Sequence, residues 1–502
     1  MPIFPFLIGF LYILVLFSLA LFGFRDLFTT ILFLANQMRP RRKMKLKHLD
    51  EWPSVTIQLP IYNEKYTVKR LLRAVTQLDY PADRLQIQVL DDSTDETSRL
   101  VSQLVDEYKS AGTTIEAIHR NNRQGYKAGA LGYGLSTATG ELIGIFDADF
   151  IPQPDWLKKT VPLFQDPNLG CLQTRWGHTN RKYNLLTRAE AVGVDGHFVI
   201  EQTVRSENNF LLNFNGTAGL WRRACIDDAG GWEWDTLTED LDLSYRAQMR
   251  GWKVDYLPDV IVPAELPSQV EAFKEQQFRW AKGSFQVVRK ILPQIINQAD
   301  FPWHVRLMAL LHLTGYIVHP LMLAVLLLTL PVGLFVPAAF RAFPLSIVAA
   351  FGPPLLYTLA DAPQTASLRE RLRLLPLLVI IGFGLSLSTS IAVFEGLLGR
   401  GGVFVRTPKL NQMNTRQPHK TIDRDYQPPV SPLVWAEIGL GFYALYTITI
   451  LYPLFGWSVM PWMMIYALGF FYIAGLNLLQ HNSRQSESPN RRVIHRHSAD
   501  RR

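Results

Sequence analysis

Long apolar stretches at both ends flank a middle of ordinary globular composition, and no feature of the sequence constrains the fold more. Residues 3–23 are almost wholly apolar and numerous enough to cross a bilayer. They lack the basic start of a signal peptide, and Phe22-Gly23-Phe24-Arg25-Asp26 is not a small-residue cleavage site. The stretch reads as a retained anchor, continued by residues 27–35. Past Pro302, residues 307–335, 345–359, 433–451 and 459–479 are each apolar enough to span. Residues 374–398 are apolar too, but carry Ser386, Ser388, Thr389, Ser390 and Glu395.

Charge orients these segments. The 502 residues carry a formal net charge of +8, and the excess is clustered. Arg39, Arg41, Arg42, Lys43, Lys45 and Lys47 follow the first apolar stretch. Arg484, Arg491, Arg492, Arg496, Arg501 and Arg502 close the chain. Beside apolar spans, such runs read as juxtamembrane charge kept on the cytoplasmic side. No nucleic-acid-binding motif accompanies them, so no nucleic-acid partner is expected. Residues 369–373 and 400–424 are basic as well. With every basic loop inside, residues 374–398 join two inside loops and lie along the interface rather than cross. Five crossings result; a sixth would put one basic loop outside. The two cysteines, Cys171 and Cys225, have no CxxC spacing. That argues against a disulfide framework or a thiolate metal site.

The middle reads as an α/β domain. Strands are expected over 55–59, 85–90, 115–118 and 142–146, and helices over 68–77, 97–108 and 127–136. This alternation predicts a parallel sheet covered on both faces. Ligands of such sheets bind beyond the carboxyl ends of the strands. Polar residues stand there: Tyr62-Asn63-Glu64, Asp91-Asp92 and Asp147-Ala148-Asp149. No GxGxxG follows the first strand and no GxxxxGK[ST] is present, which argues against dinucleotide and P-loop chemistry.

Each motif has a chemical and a plain reading. Asp147 and Asp149, one residue apart at a strand end, offer hard oxygen ligands for Mg2+ or Mn2+; the plain reading is a solvated turn. Thr238-Glu239-Asp240 opens a helix. Thr238 fits an N-cap with acids in the first turn, or a carboxylate there serves as general base toward an acceptor hydroxyl. Gln276, Arg279 and Trp280 share one helix face. They fit an amphipathic helix with a snorkelling Arg, or a guanidinium for phosphate and an indole for a sugar face. Arg123, Gly125, Lys127 and Gly129 form a basic loop opening a helix, where Lys127 is able to approach a phosphate.

Together, Pro60-Ile61-Tyr62-Asn63-Glu64, Asp91-Asp92-Ser93, Asp147-Ala148-Asp149, Thr238-Glu239-Asp240 and Gln276-x-x-Arg279-Trp280, in this order, resemble glycosyltransferase family 2. The likeness is to the cellulose-synthase and hyaluronan-synthase superfamily, on the side of the cellulose-synthase-like mannan and glucan synthases. Phe214-Asn215-Gly216-Thr217-Ala218-Gly219-Leu220-Trp221-Arg222 resembles the acceptor segment of the mannan-synthase-like branch. Phe404-Val405-Arg406-Thr407-Pro408-Lys409 resembles the gating loop of processive synthases, with Arg406 where cellulose synthases carry Val.

The resemblance implies a nucleotide-sugar-binding α/β domain of GT-A-like, Rossmann-like type plus an α-helical transmembrane domain. It implies inverting, processive transfer of hexose from UDP-glucose or GDP-mannose to a β-linked glycan, coupled to export, with Mg2+ or Mn2+ as cofactor. Asp240, with Glu239, would be catalytic. Tyr62, Asn63, Glu64, Asp91, Lys127, Asp147, Gln276, Arg279, Thr407 and Lys409 would bind the donor. Trp280, Asn215, Gly216 and Thr217 would bind the acceptor, and Asp147 and Asp149 the metal. A single-sugar transferase acting on a membrane lipid, of ceramide-glucosyltransferase type, is the alternative; a nucleotide-sensing transporter is a third class, disfavoured by the full set of carboxylates. Expected partners are a nucleotide sugar, a glycan or lipid acceptor, and membrane lipids. The expected domain order is an anchor over 1–38, a cytosolic catalytic domain over 39–300, and transmembrane and interfacial helices over 301–398. A cytosolic gating loop over 399–430, a transmembrane hairpin over 431–480 and a basic, disordered tail over 481–502 follow. The expected place is the plasma or bacterial inner membrane.

Overall fold

The computed structural model describes residues 3–38, 49–342, 344–402, 407, 409–412 and 431–486. The basic runs at 39–47 and 491–502, and Phe404, Val405, Arg406 and Pro408, lie outside the described residues.

Seven strands form one sheet: β1 (Val55–Ile61), β2 (Leu85–Asp91), β3 (Ile115–His119), β4 (Leu142–Ile145), β5 (Leu169–His178), β6 (Gly219–Arg222) and β7 (Lys253–Ala264), in the order β3-β2-β1-β4-β6-β5-β7. The first four are parallel, as their alternation with helices predicts. Beyond these four the sheet is mixed, because β6 runs antiparallel to both β4 and β5. After β5 the chain passes through the helical residues 185–207, and residues 210–218 then lead into β6 between β4 and β5. Chain order turns around at β1: β2 and β3 build outward on one side and β4 on the other. A crevice therefore opens at the carboxyl ends of β1 and β4, where such sheets bind ligands.

Apolar clusters cover both faces. Val55, Ile57, Leu59, Leu71, Leu72, Val101 and Trp156 pack on one; Leu131, Ile143, Ile145, Phe214, Trp221 and Leu243 pack on the other. Under the second face the central strands bury Gln58 and Gln88, whose side chains are joined at 3.1 Å. Helix Tyr126–Leu135 crosses above them, and a Cβ on Gly134 would lie 2.6 Å from Gln58 Nε2. The Ala- and Gly-rich composition of that helix permits this close approach.

Among the described residues, Ile3–Gln37, Gly315–Phe335, Pro337–Leu359, Leu433–Ser458 and Met460–His481 are long and apolar enough to cross a membrane. Helices Leu368–Gly384 and Ser386–Leu397 form a pair bent by 49°. Both ends of this pair are tied to the α/β domain. Arg188 donates to Glu370 at 3.0 Å near its start, and Lys282 donates to Glu395 at 2.8 Å near its end. Just before it, Arg181 donates to the carbonyl of Gln364 at 2.6 Å.

Candidate active site

One cavity gathers most of the residues that the motifs single out. It is lined by Tyr62, Glu64, Lys127, Asp147, Asp149, Asn215, Gly216, Glu239, Asp240, Gln276, Arg279, Trp280, Thr407 and Lys409. They come from the ends of β1 and β4, the segment before β6, the helices Tyr126–Leu135, Glu239–Met249 and Val270–Asn297, and, for Thr407 and Lys409, the 399–430 segment.

Its floor is a charge network. Lys127 Nζ donates to Asp147 Oδ1 at 2.5 Å and to the Gly216 carbonyl at 2.9 Å. Burial alone would lower the Lys127 ammonium, but Asp147, Glu239 and Asp240 raise it and keep it charged. Burial, and then the adjacent Glu239, push the Asp240 carboxyl up to about 7. Glu239 is raised by burial as well. Burial lowers the Arg279 guanidinium, opposed by Glu239, Asp147 and Asp240. Gly216 has φ of 83°, and a Cβ there would stand 2.9 Å from Asp240 Oδ2. That glycine lets the backbone approach the carboxylate.

Thr238 stands at the N-cap of Glu239–Met249, yet its side chain makes no capping hydrogen bond and its buried hydroxyl has no partner among the described residues. The simple capping role is therefore not what it performs.

Three residues expected in the site fall elsewhere. Asp91 does not line the cavity: its carboxylate accepts from Ser93 N–H at 2.9 Å and pairs with Ser98 and His119. The neighbouring Asp92 lines it instead, held by Arg120. A strand alternates its side chains, so adjacent acids at its end face different ways. Asn63 has φ of 54° and turns its amide to Thr94. Thr217 is buried below the floor, its hydroxyl accepting from Asp147 N–H at 2.9 Å.

Asp147 and Asp149 carry the expected metal ligation, and their chemistry fits it. Asp147 Oδ1 is taken by Lys127. Asp149 Oδ2 takes Lys409 at 2.8 Å and the Glu265 N–H at 3.0 Å. Among the described residues, Asp147 Oδ2 and Asp149 Oδ1 accept no hydrogen bond. Two hard carboxylate oxygens so remain for a divalent cation. A tighter acidic cluster, Glu233, Asp235 and Asp242, does not fit a metal, because Lys290 Nζ sits within 2.5, 2.8 and 3.0 Å of the three.

The described part of the 399–430 segment reaches the cavity. Lys409 Nζ donates to the Glu265 carbonyl at 2.6 Å, and the Leu410 N–H donates to Glu265 Oε1 at 2.8 Å. Motif reading missed Trp176, His178, Glu190 and Glu265, which also line the cavity. Burial pushes the Glu190 carboxyl up to about 8, so at neutral pH it is a hydroxyl donor. Trp176 Nε1, Glu190 Oε2, Thr238 Oγ1, Gln276 Oε1 and Thr407 Oγ1 are buried without a hydrogen-bond partner among the described residues. Such a concentration of orphan polar atoms around one cavity marks a site built for a polar ligand.

A profile described as glycosyltransferase like family 2 matches residues 53–283. A glucomannan 4-β-mannosyltransferase from Cyamopsis tetragonoloba is 34% identical over 455 residues, covering 86% of this chain and 85% of that protein. A glucomannan 4-β-mannosyltransferase from Arabidopsis thaliana is 43% identical over 272 residues, covering 52% of this chain. The match spans about half, 51%, of the Arabidopsis protein's length. Among solved structures, a mannosyltransferase from Pyrobaculum calidifontis in complex with GDP-Man and Mn2+ is similar with TM-score 0.48 at 20% identity, covering 77% of this chain and 100% of that one.

Proposed function

The chain belongs to glycosyltransferase family 2, in the cellulose-synthase-like branch of the glucomannan 4-β-mannosyltransferases, and from that premise we propose that it is a membrane hexosyltransferase elongating a β-linked glycan from a nucleotide sugar. One observation carries this reading: Asp240, raised to about 7, shares a cavity with Lys127, Arg279 and Trp280. In the proposed reaction the Asp240 carboxylate takes the proton of an acceptor hydroxyl. That oxygen attacks the anomeric carbon while the bond to the nucleoside diphosphate breaks on the opposite face, inverting the centre. Lys127 and Arg279 stabilise the leaving diphosphate. Trp280 supplies an apolar surface for a sugar ring. Mg2+ or Mn2+ held by Asp147 and Asp149 would neutralise diphosphate charge. The relatives' names make mannose the first sugar to test. The test is to incubate the full chain in lipid nanodiscs with GDP-mannose and with UDP-glucose, measure nucleotide release, and size the product. No release from any nucleotide sugar would overturn the reading.

A base must be deprotonated to act. With Asp240 raised to about 7, kcat/KM is expected to fall about tenfold per pH unit below about 7 and to level above it. An acid limb near 4 would remove Asp240 from the role.

Topology follows the same reading. Pro363, Gln364, Gly401, Gly402 and Lys409 contact the catalytic domain, which supports a bent pair that starts and ends on one side. It then lies along the interface, and five crossings remain. Gly401 has open space around it, and native Cys171 and Cys225 are buried. A Gly401→Cys variant is expected to resist an impermeant thiol reagent outside intact cells and to label in inverted vesicles. Labelling from outside would defeat the five-crossing arrangement.

A further inference from the structure

A chain of polar contacts runs from the N-terminal membrane helix to the cavity, and the reaction as described makes no use of it. Asn215 lines the cavity. Its Nδ2 donates to His197 Nε2 at 3.2 Å, and its Oδ1 accepts from Gln202 Nε2 at 2.6 Å. Its backbone N–H donates to Gln173 Oε1 at 2.7 Å. His197 Nδ1 donates to Glu201 Oε2 at 2.8 Å. Glu201 Oε1 lies 3.6 Å from the Arg25 guanidinium on helix Ile3–Gln37. Arg25 is itself fixed by Asp26 at 2.8 Å and by the Leu311 carbonyl at 3.1 Å. His197, Glu201 and Gln202 belong to one π-helical turn, His197–Gln202, a rare backbone form that recurs at functional sites.

This geometry fixes the proton positions. Burial alone would raise the Glu201 carboxyl, but the His197 hydrogen bond, Arg25 and Arg205 hold it well below the usual carboxylate range. Gln202 Nε2 also donates to the Asn213 carbonyl at 3.1 Å, so it is the Asn215 oxygen that faces Gln202 and the Asn215 nitrogen that faces His197, whose Nε2 accepts while its Nδ1 donates to Glu201. The Asn215 amide then has one orientation. One of its two N–H groups is spent on His197, and the second remains for a ligand. The next residue, Gly216, packs against Asp240. A hydroxyl bound by Asn215 would therefore stand near the group that deprotonates it.

Resting on the glycosyltransferase reading, we propose that His197 and Glu201, anchored by Arg25, are positioning residues that fix Asn215 as a hydrogen-bond donor to the acceptor sugar beside Asp240. Neither His197 nor Glu201 lines the cavity, so both act through Asn215. The membrane anchor thereby becomes part of acceptor recognition.

The experiment uses the full chain in nanodiscs, a β-1,4-linked mannan or glucan oligosaccharide as acceptor, and whichever of GDP-mannose and UDP-glucose the wild type consumes. His197→Ala and Glu201→Gln are expected to raise acceptor KM about tenfold, the scale of one lost hydrogen bond. Donor KM and affinity for the free nucleoside diphosphate should stay within twofold. His197→Gln, whose amide oxygen is able to accept from Asn215, should recover most of the loss. An active wild type with unchanged acceptor KM in His197→Ala overturns this inference alone. So does a rise in acceptor KM that His197→Gln fails to recover, or one accompanied by an equal rise in donor KM, since either marks general damage. A wild type that consumes no donor overturns the glycosyltransferase reading and this inference with it.

Discussion

Asp240→Asn should lower kcat by about 10^2–10^4-fold, the range a positioned general base supplies, while nucleotide affinity stays near that of the wild type. The amide has almost the volume of the carboxylate and still accepts the Leu241 N–H, which now bonds Asp240 Oδ1 at 2.8 Å. It has no basic oxygen to take a proton. Folding is not expected to suffer. The native carboxyl is raised in the fold to about 7, above its ordinary value, so the folded state binds its proton more tightly than the unfolded state does. That carboxyl therefore costs stability as pH rises from its ordinary value through about 7, and an uncharged amide removes the cost. At pH 8 the variant should melt no earlier than the wild type, bind nucleotide and turn over almost nothing. Turnover near that of the wild type would rule Asp240 out as the base. Lost nucleotide binding would mean that the carboxylate had a structural duty instead.

Asp240 is also a good measure of what the sequence discloses. Strand ends carrying acids, an acidic helix start and a shared Gln-Arg-Trp face are local patterns, and they mark residues that the fold brings to one cavity. The sheet order was legible only where strands alternate with helices. β6 is four residues long, and its antiparallel insertion between β4 and β5 depends on contacts remote in sequence. Asp91 and Asp92 are indistinguishable as a motif, since only the twist at the end of β2 decides which carboxylate meets the crevice. Glu190 and Glu265 carry no local signal either. Glu190 becomes notable because its buried Oε2 has no hydrogen-bond partner among the described residues, and Glu265 because the loop at Lys409 docks on it. The positioning chain through His197 spans residues 25 to 215, and no spacing rule joins them.

The second large effect concerns the cation. Asp147 and Asp149 sit among Lys127, Lys409 and Arg279, but Glu64, Asp92, Glu239 and Glu265 line the same cavity, so carboxylates outnumber cations there. A nucleoside diphosphate adds negative charge that the two lysines, already engaged with carboxylates, do not offset. Lys127 is committed to Asp147 and Lys409 to Asp149. A divalent ion on the two remaining carboxylate oxygens would offset the added charge. Excess EDTA is therefore expected to cut turnover by about 10^2-fold or more, the scale of several kcal/mol of charge stabilisation, and Mg2+ or Mn2+ should restore it. Asp149 has two duties, so its replacement alone does not separate them: it offers a metal oxygen and it anchors Lys409. Lys409→Ala removes only the anchor. That variant should show a raised donor KM while keeping its full requirement for the cation, whereas Asp147→Asn should raise the cation concentration needed for half-maximal rate. Full turnover of the wild type in excess EDTA would remove the metal from the reaction. Lys127, Lys409 and Arg279 would then stand as the site's electrostatic provision for the diphosphate.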